Sequence, residues 1–436
     1  MRFPIIAADA ALLDQVKDSL KLFSDQLTQK GNSNADWLTE SVALAEGGAA
    51  IEYINYQTPA LLGINFSDDK IDGFEIMEKI VADPWLNHGA IIAFYEGSEV
   101  LEKINTLRDT NVVISLPFQE VGGLFLRVLH VIQENEQILF QRAIHSEFVS
   151  SLSGSYRLDP DIQIIPCYAN LVANYLYNMG FVDGDSKYSL ALSLSEMLIN
   201  AIEHGVCGID SDEKTAYLEN NSTTVALIAE KCRDPKIGGR KVSFQYDIQA
   251  EGSTYVIADG GEGFDWRSYV DEEREVDLFS LHGRGIMLSK ASVDKIGYNE
   301  KGNTVTLSLI HRQNTTNTVP LVFQDHETLV VAPGDPVFQQ GEESDFLYYI
   351  AEGEYGVEIN GVVVATVTPA DILVGEISFL LQDNRSATVV AKSHGKLIKI
   401  SKEAFVNSIK AQPYYGLFLA KLLAQRLVNL GRKFTS

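Results

Sequence analysis

Two polar residues in an apolar stretch limit most strongly what this chain can fold into. Glu196 and Asn200 belong to the segment Glu196–Gly205, which follows a helical run from Tyr188 to Leu194. Residues four positions apart lie on one face of a helix, so the carboxylate and the carboxamide stand one above the other. The carboxylate can accept a proton, and the amide oxygen is a hard ligand suited to Mg2+. Taken alone, the pair is more typical of a solvated helix edge.

A glycine motif downstream changes that interpretation. An apolar strand, Thr254 to Ala258, leads to Asp259, and Gly261 and Gly263 follow it. These glycines let the backbone turn closely around a ligand. A buried aspartate at the end of a strand can accept a hydrogen bond from an exocyclic amine such as adenine N6. The motif therefore predicts the base-recognising part of a nucleotide site.

A second glycine loop contains Gly283, Arg284 and Gly285 and leads into a helix. Backbone N–H groups and a helix N-terminus form an anion site there that suits phosphates. An apolar strand from Asn303 to Leu307 comes next. Each glycine loop alone is typical of an ordinary turn, but their order after Glu196 and Asn200 is more specific.

That order resembles the GHKL ATPase superfamily, and the segments LSEMLINAIEHG and DGGEGFD are most similar to the anti-sigma-factor serine kinases. The resemblance spans residues 155–312 and implies a Bergerat α/β sandwich that binds ATP and Mg2+. It implies that Glu196 is the general base, Asn200 the Mg2+ ligand and Asp259 the residue that binds adenine. The remaining residues expected around ATP are Gly261, Gly263, Gly283, Arg284, Gly285, Thr304 and Thr306. Residues 207–241 form an insert to which the sequence assigns no role.

Residues 1–121 alternate short apolar strands with helices, which favours a doubly wound, flavodoxin-like parallel sheet. The segment LLGINFSDDKIDGFEIMEKI is similar to response-regulator receivers, but Gly63 stands at the phosphoacceptor position. Leu116 replaces the family's lysine, and of the acidic pair only Asp9 remains. We interpret this region as a pseudo-receiver used for docking or dimerisation. The alternative is phosphorylation at Asp68, which lies with Asp69 in the following loop.

Residues 122–154 show a helical pattern and are predicted to form one long linker helix. Its apolar residues have near-heptad spacing, which predicts either a homodimer seam or a core helix of a single chain. They are Phe125, Leu129, Ile132, Leu139 and Ala143. His145 lies in this segment, so a histidine kinase must be considered. The residues after His145 match the phosphoacceptor motif of that family poorly.

From residue 320 onward, short strands separated by glycine turns predict a small antiparallel barrel or jelly roll. Within this region, Glu376 and Arg385 lie nine residues apart, in a Gly-Glu turn and at a strand start. A guanidinium can bind a cyclic phosphate through two hydrogen bonds, and a carboxylate can accept one from a ribose hydroxyl. The pair therefore predicts a cyclic nucleotide site.

Residues 320–436 resemble the cyclic-nucleotide-binding domain family, with GEISFLLQDNRSATVVA similar to its phosphate cassette. The resemblance implies that Glu376 binds the ribose and Arg385 the phosphate. Further cassette contacts are expected from Gly375, Ile377, Ser386 and Ala387. The small hydroxyl of Ser386 is compatible with cAMP or cGMP. Two helices, 402–411 and 414–433, are expected to follow, and the second is expected to act as a lid or a dimer contact.

Composition limits the cellular context. The chain has 436 residues, enough for about three domains of ~150 residues each. A net charge of −24 disfavours nucleic acid and anionic membrane surfaces as partners. The three cysteines have neither disulfide-scaffold nor metal-ligand spacing, and the N-terminus lacks a secretion signal. We therefore expect a cytoplasmic protein.

These features together predict a signalling protein in which cAMP or cGMP regulates an ATP-dependent serine/threonine protein kinase. The resemblance implies an anti-sigma-factor-antagonist-like protein substrate, with a sigma factor as a further partner. One alternative is a non-catalytic switch that binds ATP and a cyclic nucleotide. The other is a histidine kinase that uses His145.

Overall fold

The computed structural model describes residues 2–29, 40–83, 86, 89–139, 151–219, 221, 223–267, 289–290, 292–311, 316–417, 419–420 and 422–424. It contains three units built on sheets. The N-terminal unit has a five-stranded sheet in the order β2-β1-β3-β4-β5, with every neighbouring pair parallel. Its strands are β1 (Arg2–Ile6), β2 (Glu40–Leu44), β3 (Leu61–Asn65), β4 (Ala90–Tyr95) and β5 (Val112–Pro117). Its helices are α1 (Ala10–Gln29), α2 (Gly47–Gln57), α3 (Gly73–Ala82) and α4 (Ser98–Asn105).

The parallel sheet expected for residues 1–121 is confirmed. β3 is buried along its whole length and β4 along all but its last residue, as strands covered on both faces should be. The sequence did not predict β2, because it is a partly exposed edge strand without a continuous apolar run. The similarity to receivers remains a prediction.

Gly63, which the resemblance places at the phosphoacceptor position, lies inside the sheet. It is the middle residue of β3, and an added Cβ would lie 2.9 Å from Phe3 Cζ and 3.0 Å from Phe94 Cε2. Asn65 is the last residue of β3, at the carboxyl edge of the sheet, and is fully buried. The assignment of Gly63 to the phosphoacceptor position stays a prediction, and neither Gly63 nor Asn65 offers a carboxylate.

The carboxylate of Asp68 is held by backbone N–H groups. Its Oδ2 accepts from Ala8 N at 2.6 Å and Asp9 N at 3.2 Å, and its Oδ1 accepts from Lys70 N at 2.9 Å. Burial acts to raise the pKa of Asp68, but these hydrogen bonds and one from Ile71 N outweigh it and lower the pKa. Both oxygens are thus engaged, which disfavours phosphorylation at Asp68.

The long helix expected for residues 122–154 was wrong. A π-helical turn (Val121–Phe125) leads into α5 (Leu126–Glu134) and α6 (Glu136–Leu139), with Asn135 between the two helices. Residues 140–150, which include Ala143 and His145, lie outside the described part of the chain. Residues 151–154, expected to end that helix, instead begin strand β6 (Ser151–Leu158). The expected dimer seam is buried in the chain's own core, at Phe125, Leu129, Ile132 and Leu139.

The second unit has a five-stranded antiparallel sheet in the order β6-β7-β8-β10-β9. Its strands are β6 (Ser151–Leu158), β7 (Val242–Gln249), β8 (Gly252–Ala258), β9 (Lys295–Tyr298) and β10 (Thr304–Ile310). Two helices, α7 (Ile165–Asn178) and α8 (Gly184–Asn200), cover one face. The insert forms three short helices, α9 (Ser211–Leu218), α10 (Val225–Lys231) and α11 (Pro235–Gly238).

The C-terminal unit is the expected jelly roll, made of two four-stranded antiparallel sheets. The strand orders are β11-β18-β13-β16 and β12-β17-β14-β15. The strands are β11 (Glu327–Val331), β12 (Pro336–Phe338), β13 (Phe346–Glu352), β14 (Tyr355–Ile359), β15 (Val362–Val367), β16 (Leu373–Val374), β17 (Thr388–Ala391) and β18 (Gly395–Ser401). Its helices are α12 (Glu376–Leu381) and α13 (Lys402–Ala411). Residues 414–417, 419–420 and 422–424 are also helical.

The first two units share one hydrophobic core, which runs from the parallel sheet into α7 and α8. Helix α7 lies along the free edge of β5. Asn170 Nδ2 donates to Val113 O at 3.1 Å, and Asn174 Nδ2 donates to Val112 O at 3.2 Å. These amides satisfy carbonyls that an edge strand would otherwise expose. The parallel sheet therefore packs directly against the second unit through α7.

Candidate functional sites

Helix α8 presents the pair that the sequence singled out. Asp183 caps its N-terminus by accepting a hydrogen bond from Ser186 N at 2.8 Å. Near its C-terminus, Met197 and Leu198 are buried, whereas Glu196 and Asn200 are half-buried on the neighbouring face. The structure thus confirms that the carboxylate and the amide share a helix face with access to solvent.

A π-helical turn, Ala201–Val206, continues α8 and brings its end against Asp259. An added Cβ at Gly205 would lie 2.2 Å from Asp259 Cγ, so only glycine fits there. Asp259 Oδ1 accepts from Gly261 N at 2.8 Å. Burial raises the pKa of Asp259, although that hydrogen bond and the charge of Lys301 oppose the rise. The sequence motif included Gly205, but its contact with Asp259 depends on tertiary structure and was missed.

The glycines after Asp259 are required by contacts within the chain. An added Cβ at Gly261 would lie 2.5 Å from Gly205 O. At Gly263, where φ is +82°, it would lie 1.8 Å from Lys301 O. Asn303 Nδ2 and Lys301 Nζ both donate to Gly261 O, at 3.1 and 3.2 Å. The β9–β10 hairpin therefore holds the loop against the end of α8.

The two threonines predicted near ATP lie on the other face of the sheet. Thr304 and Thr306 alternate along β10 with Val305 and Leu307, which are buried in the core that includes α8. Because successive side chains of a strand point to opposite faces, both threonines point away from α8. Their placement does not support the predicted contact with ATP.

The second glycine loop, with Gly283, Arg284 and Gly285, lies outside the described residues, as does His145. Among the residues that are described, no group of three or more His, Cys, Asp or Glu side chains is arranged to hold a metal ion. Asn200 offers one hard oxygen ligand for Mg2+, and the phosphate oxygens of a nucleotide can supply others.

In the C-terminal unit, Arg385 lies beneath Gly375. Its side chain is buried, and its Nη1 donates to Gly375 O at 2.8 Å while its Nη2 donates to Phe346 O. Its guanidinium carbon lies 4.2 Å from the centroid of the Phe338 ring. Burial lowers the pKa of Arg385, and Tyr348 is the largest influence that opposes the change. The Nε atom is buried and has no hydrogen-bond partner among the described residues.

Gly375 can approach this arginine only because it lacks a side chain. Its φ is +81°, and an added Cβ would lie 2.5 Å from Arg385 Nη1. Glu376 begins α12 and is also buried. The structure thus brings Gly375, Glu376 and Arg385 together. Of the other predicted contacts, Ala387 is buried, whereas Ile377 and Ser386 are exposed.

Two family models match the chain. The model for the histidine kinase-like ATPase domain matches residues 168–309, which include α8 and the Asp259 loop. The model for the cyclic nucleotide-binding domain matches residues 328–412, which include Glu376 and Arg385. The chain therefore carries an ATPase-like domain followed by a cyclic nucleotide-binding domain. This combination of domains suggests a nucleotide-regulated, kinase-like signalling protein.

Similar proteins cover only parts of the chain. Lysophospholipase nte1 of Aspergillus oryzae is 26% identical over 194 residues, which are 42% of this chain and 12% of that protein. The cyclic AMP receptor protein of Thermus thermophilus is 33% identical over 99 residues, which are 22% of this chain and 45% of that protein. The chain thus spans less than half of either relative.

Solved structures are similar over a comparable share of the chain. The catabolite activator protein of Thermus thermophilus is 28% identical and has a TM-score of 0.25. The match covers 26% of this chain and 56% of that protein's chain. The N-terminal domain of a transcriptional regulator from Streptomyces coelicolor is 24% identical and has a TM-score of 0.22. The match covers 25% of this chain and 81% of that chain. In the part of the chain that the structure describes, no helix is both long and apolar enough to cross a membrane.

Proposed function

We propose that this chain is an ATP-dependent serine/threonine protein kinase of the anti-sigma-factor type, regulated by a cyclic nucleotide. The observation that carries the proposal is the pairing of Glu196 and Asn200 on the accessible face of α8, whose continuation ends against Asp259. A site that only bound ATP would need an adenine acceptor and glycine loops. It would not need a carboxylate one turn before the metal ligand.

The residues fit ATP in chemical terms. Asp259 offers a partly buried carboxylate to the adenine amine, next to a position that only glycine can occupy. Asn200 is the residue that would hold Mg2+, which shields phosphate charge when it is bound. The oxygen of the attacking serine hydroxyl bonds to the γ-phosphorus of ATP, and ADP leaves. Glu196 accepts the proton of that hydroxyl in the same step. The substrate serine is carried by an anti-sigma-factor-antagonist-like protein, and a sigma factor is a further partner.

A Glu196→Ala variant tests the catalytic role. We expect it to bind a non-hydrolysable ATP analogue like the wild type and to lose phosphotransfer by at least about 100-fold. Glu230→Ala, at an exposed position of α10, is the matched control and should keep full activity. Transfer at the wild-type rate by Glu196→Ala would contradict the kinase proposal.

The second candidate function is a non-catalytic switch in which nucleotides only change protein contacts. It is supported by the N-terminal unit, whose carboxyl edge carries Asn65 and an Asp68 carboxylate that is already engaged. This arrangement disfavours phosphorylation at Asp68, which fits a role of the unit in protein contacts. Normal signalling in cells by Glu196→Ala would favour the switch, whereas loss of signalling would favour the kinase.

The regulatory site is proposed at Arg385. Its buried Nε has no partner among the described residues, and an exocyclic phosphate oxygen of cAMP or cGMP would supply one. Glu376 would accept a hydrogen bond from the ribose hydroxyl. We expect Arg385→Lys, which cannot form the two-pronged contact, to weaken binding by at least about tenfold in calorimetry. Lys396→Met, at an exposed position, is the control.

A further inference from the structure

A buried carboxylate joins the insert to the end of the ATP helix. Glu203 lies in the π-helical turn after α8, and only 1% of its surface is exposed. Its Oε2 accepts from Lys214 Nζ at 2.5 Å, and its Oε1 accepts from Thr224 Oγ1 at 2.5 Å. Lys214 belongs to α9, and Thr224 immediately precedes α10. Both of these partners therefore come from residues 207–241.

Other contacts join the insert to the same turn. Arg240 Nη1 donates to Val206 O at 3.4 Å. The Sγ atoms of Cys207 and Cys232 lie 4.0 Å apart, which places the first residue of the insert beside the end of α10. The insert therefore folds back onto the turn that it follows.

The turn has neighbours on both sides that matter for the proposed ATP site. Glu203 lies three residues after Asn200 and two before Gly205. Gly205 packs closely on Asp259 and Gly261. An added Cβ on Gly205 would collide with Asp259, and one on Gly261 would collide with Gly205. Single π-helical turns in α-helices occur frequently at functional sites. A shift of this turn would thus move Gly205 relative to Asp259.

Burying a carboxylate is unfavourable unless it is paired and hydrogen-bonded, and removal of one partner leaves a buried charge. The geometry of the turn is consequently linked to the presence of Lys214 and Thr224. We propose that Glu203 is a positioning residue of the ATP site and that the insert is the clamp that fixes it. This inference rests on the proposed binding of ATP at Asp259.

The experiment is a calorimetric titration of a non-hydrolysable ATP analogue with Mg2+ into the full chain. We expect Lys214→Met to weaken binding by at least about tenfold, the factor that one hydrogen bond to a charged group carries. The double variant Glu203→Gln/Lys214→Met removes the charge together with its partner. It should therefore restore binding to within about threefold of the wild type, since only a neutral hydrogen bond is then altered.

Two further variants keep the experiment decisive. Lys231→Met removes the 2.7 Å ion pair with Glu213 inside the insert without touching Glu203, and it should leave affinity unchanged. Thr224→Val removes the second partner and replaces Lys214→Met if that variant fails to fold. A purely structural role would lower the melting temperature of these variants without changing affinity or producing rescue by the double variant.

Wild-type affinity in both Lys214→Met and Thr224→Val would overturn the inference while the proposed function stands. A wild-type chain that binds no analogue would overturn the proposed function and this inference with it. Reduced affinity in Lys214→Met, restored in the double variant, supports both.

Discussion

One carboxylate connects the two ends of the chain. Asp83, just after α3 in the N-terminal unit, is buried. The hydroxyls of Tyr414 and Tyr415 donate to the same Asp83 oxygen, at 2.8 and 3.2 Å. Burial and then the negative charge of Asp83 raise the pKa of both tyrosines, so both hydroxyls keep the protons that they donate. Substitution of these tyrosines by phenylalanine should therefore loosen the C-terminal unit from the N-terminal unit.

The magnitude follows from the two contacts. A hydrogen bond to a charged group contributes about 1.5–3 kcal/mol, and phenylalanine keeps the ring packing. Each single variant, Tyr414→Phe or Tyr415→Phe, should lower the free energy of local opening by about 1.5 kcal/mol, because the other hydroxyl remains. The double variant should lower it by about 3 kcal/mol or more.

Hydrogen exchange of the full chain, followed by mass spectrometry of peptides from residues 402–424, measures this opening. The single variants should exchange about tenfold faster there, and the double variant about 100-fold faster or more. Tyr56→Phe is the control, because Tyr56 is 44% exposed in the N-terminal unit. Unchanged protection in the double variant would refute the reasoning.

Three further predictions concern single positions. Gly205→Ala should abolish binding of the ATP analogue in calorimetry, because the new Cβ would lie 2.2 Å from Asp259 Cγ. Burial lowers the pKa of Lys187 from 10.5 to about 8, so the unfolded chain binds more protons between these values and stability should rise with pH across that window. Lys187→Met should remove this rise, which urea unfolding from pH 7.5 to 10 would detect. Gly63→Ala should lower the free energy of unfolding by about 1–3 kcal/mol through overpacking against Phe3, as thermal unfolding would show.

The sequence predicted those parts of the site that depend on short separations along the chain. Glu196 and Asn200 share a helix face because four residues nearly complete a turn. Glu376 and Arg385 meet because the chain between them is a short helix and a tight turn. The contact of Gly205 with Asp259 joins residues far apart in sequence, and no local pattern indicates it.

The helix predicted for residues 122–154 failed for a physical reason. The spacing of apolar residues along a helix is similar whether the helix forms a dimer seam or is buried in the core of its own domain. The end of that segment carried a different signal. In Ser151–Leu158, burial alternates with period two, because these residues pair with β7. The sequence SLSGSYRL shows this alternation only weakly, since serine and glycine occupy half of its eight positions.

Two contacts between the N-terminal unit and the rest of the chain lie at the amino edge of its parallel sheet. In a parallel sheet, segments that lead from a helix into a strand lie at the amino edge. Asp83 precedes β4 and accepts the two tyrosine hydroxyls there. Thr110 precedes β5, and its carbonyl accepts a hydrogen bond from Lys187 of α8. Between these contacts, Ile91 N donates to Asn111 O at 2.9 Å. The amino edge therefore connects the C-terminal unit to the helix that carries Glu196.

Receivers place their chemistry at the opposite, carboxyl edge, where this chain has the engaged carboxylate of Asp68. If a cyclic nucleotide changes ATP affinity, we expect the effect to depend on the amino edge. Calorimetry with and without saturating cAMP or cGMP should show a coupling of about 5- to 150-fold in the wild type. The double variant Tyr414→Phe/Tyr415→Phe should lose most of this coupling, because its C-terminal unit no longer donates hydrogen bonds to Asp83. Asp68→Asn should keep it. Loss of coupling in Asp68→Asn alone would place communication at the carboxyl edge after all, as in a receiver that has kept its signalling surface but lost its phosphoacceptor.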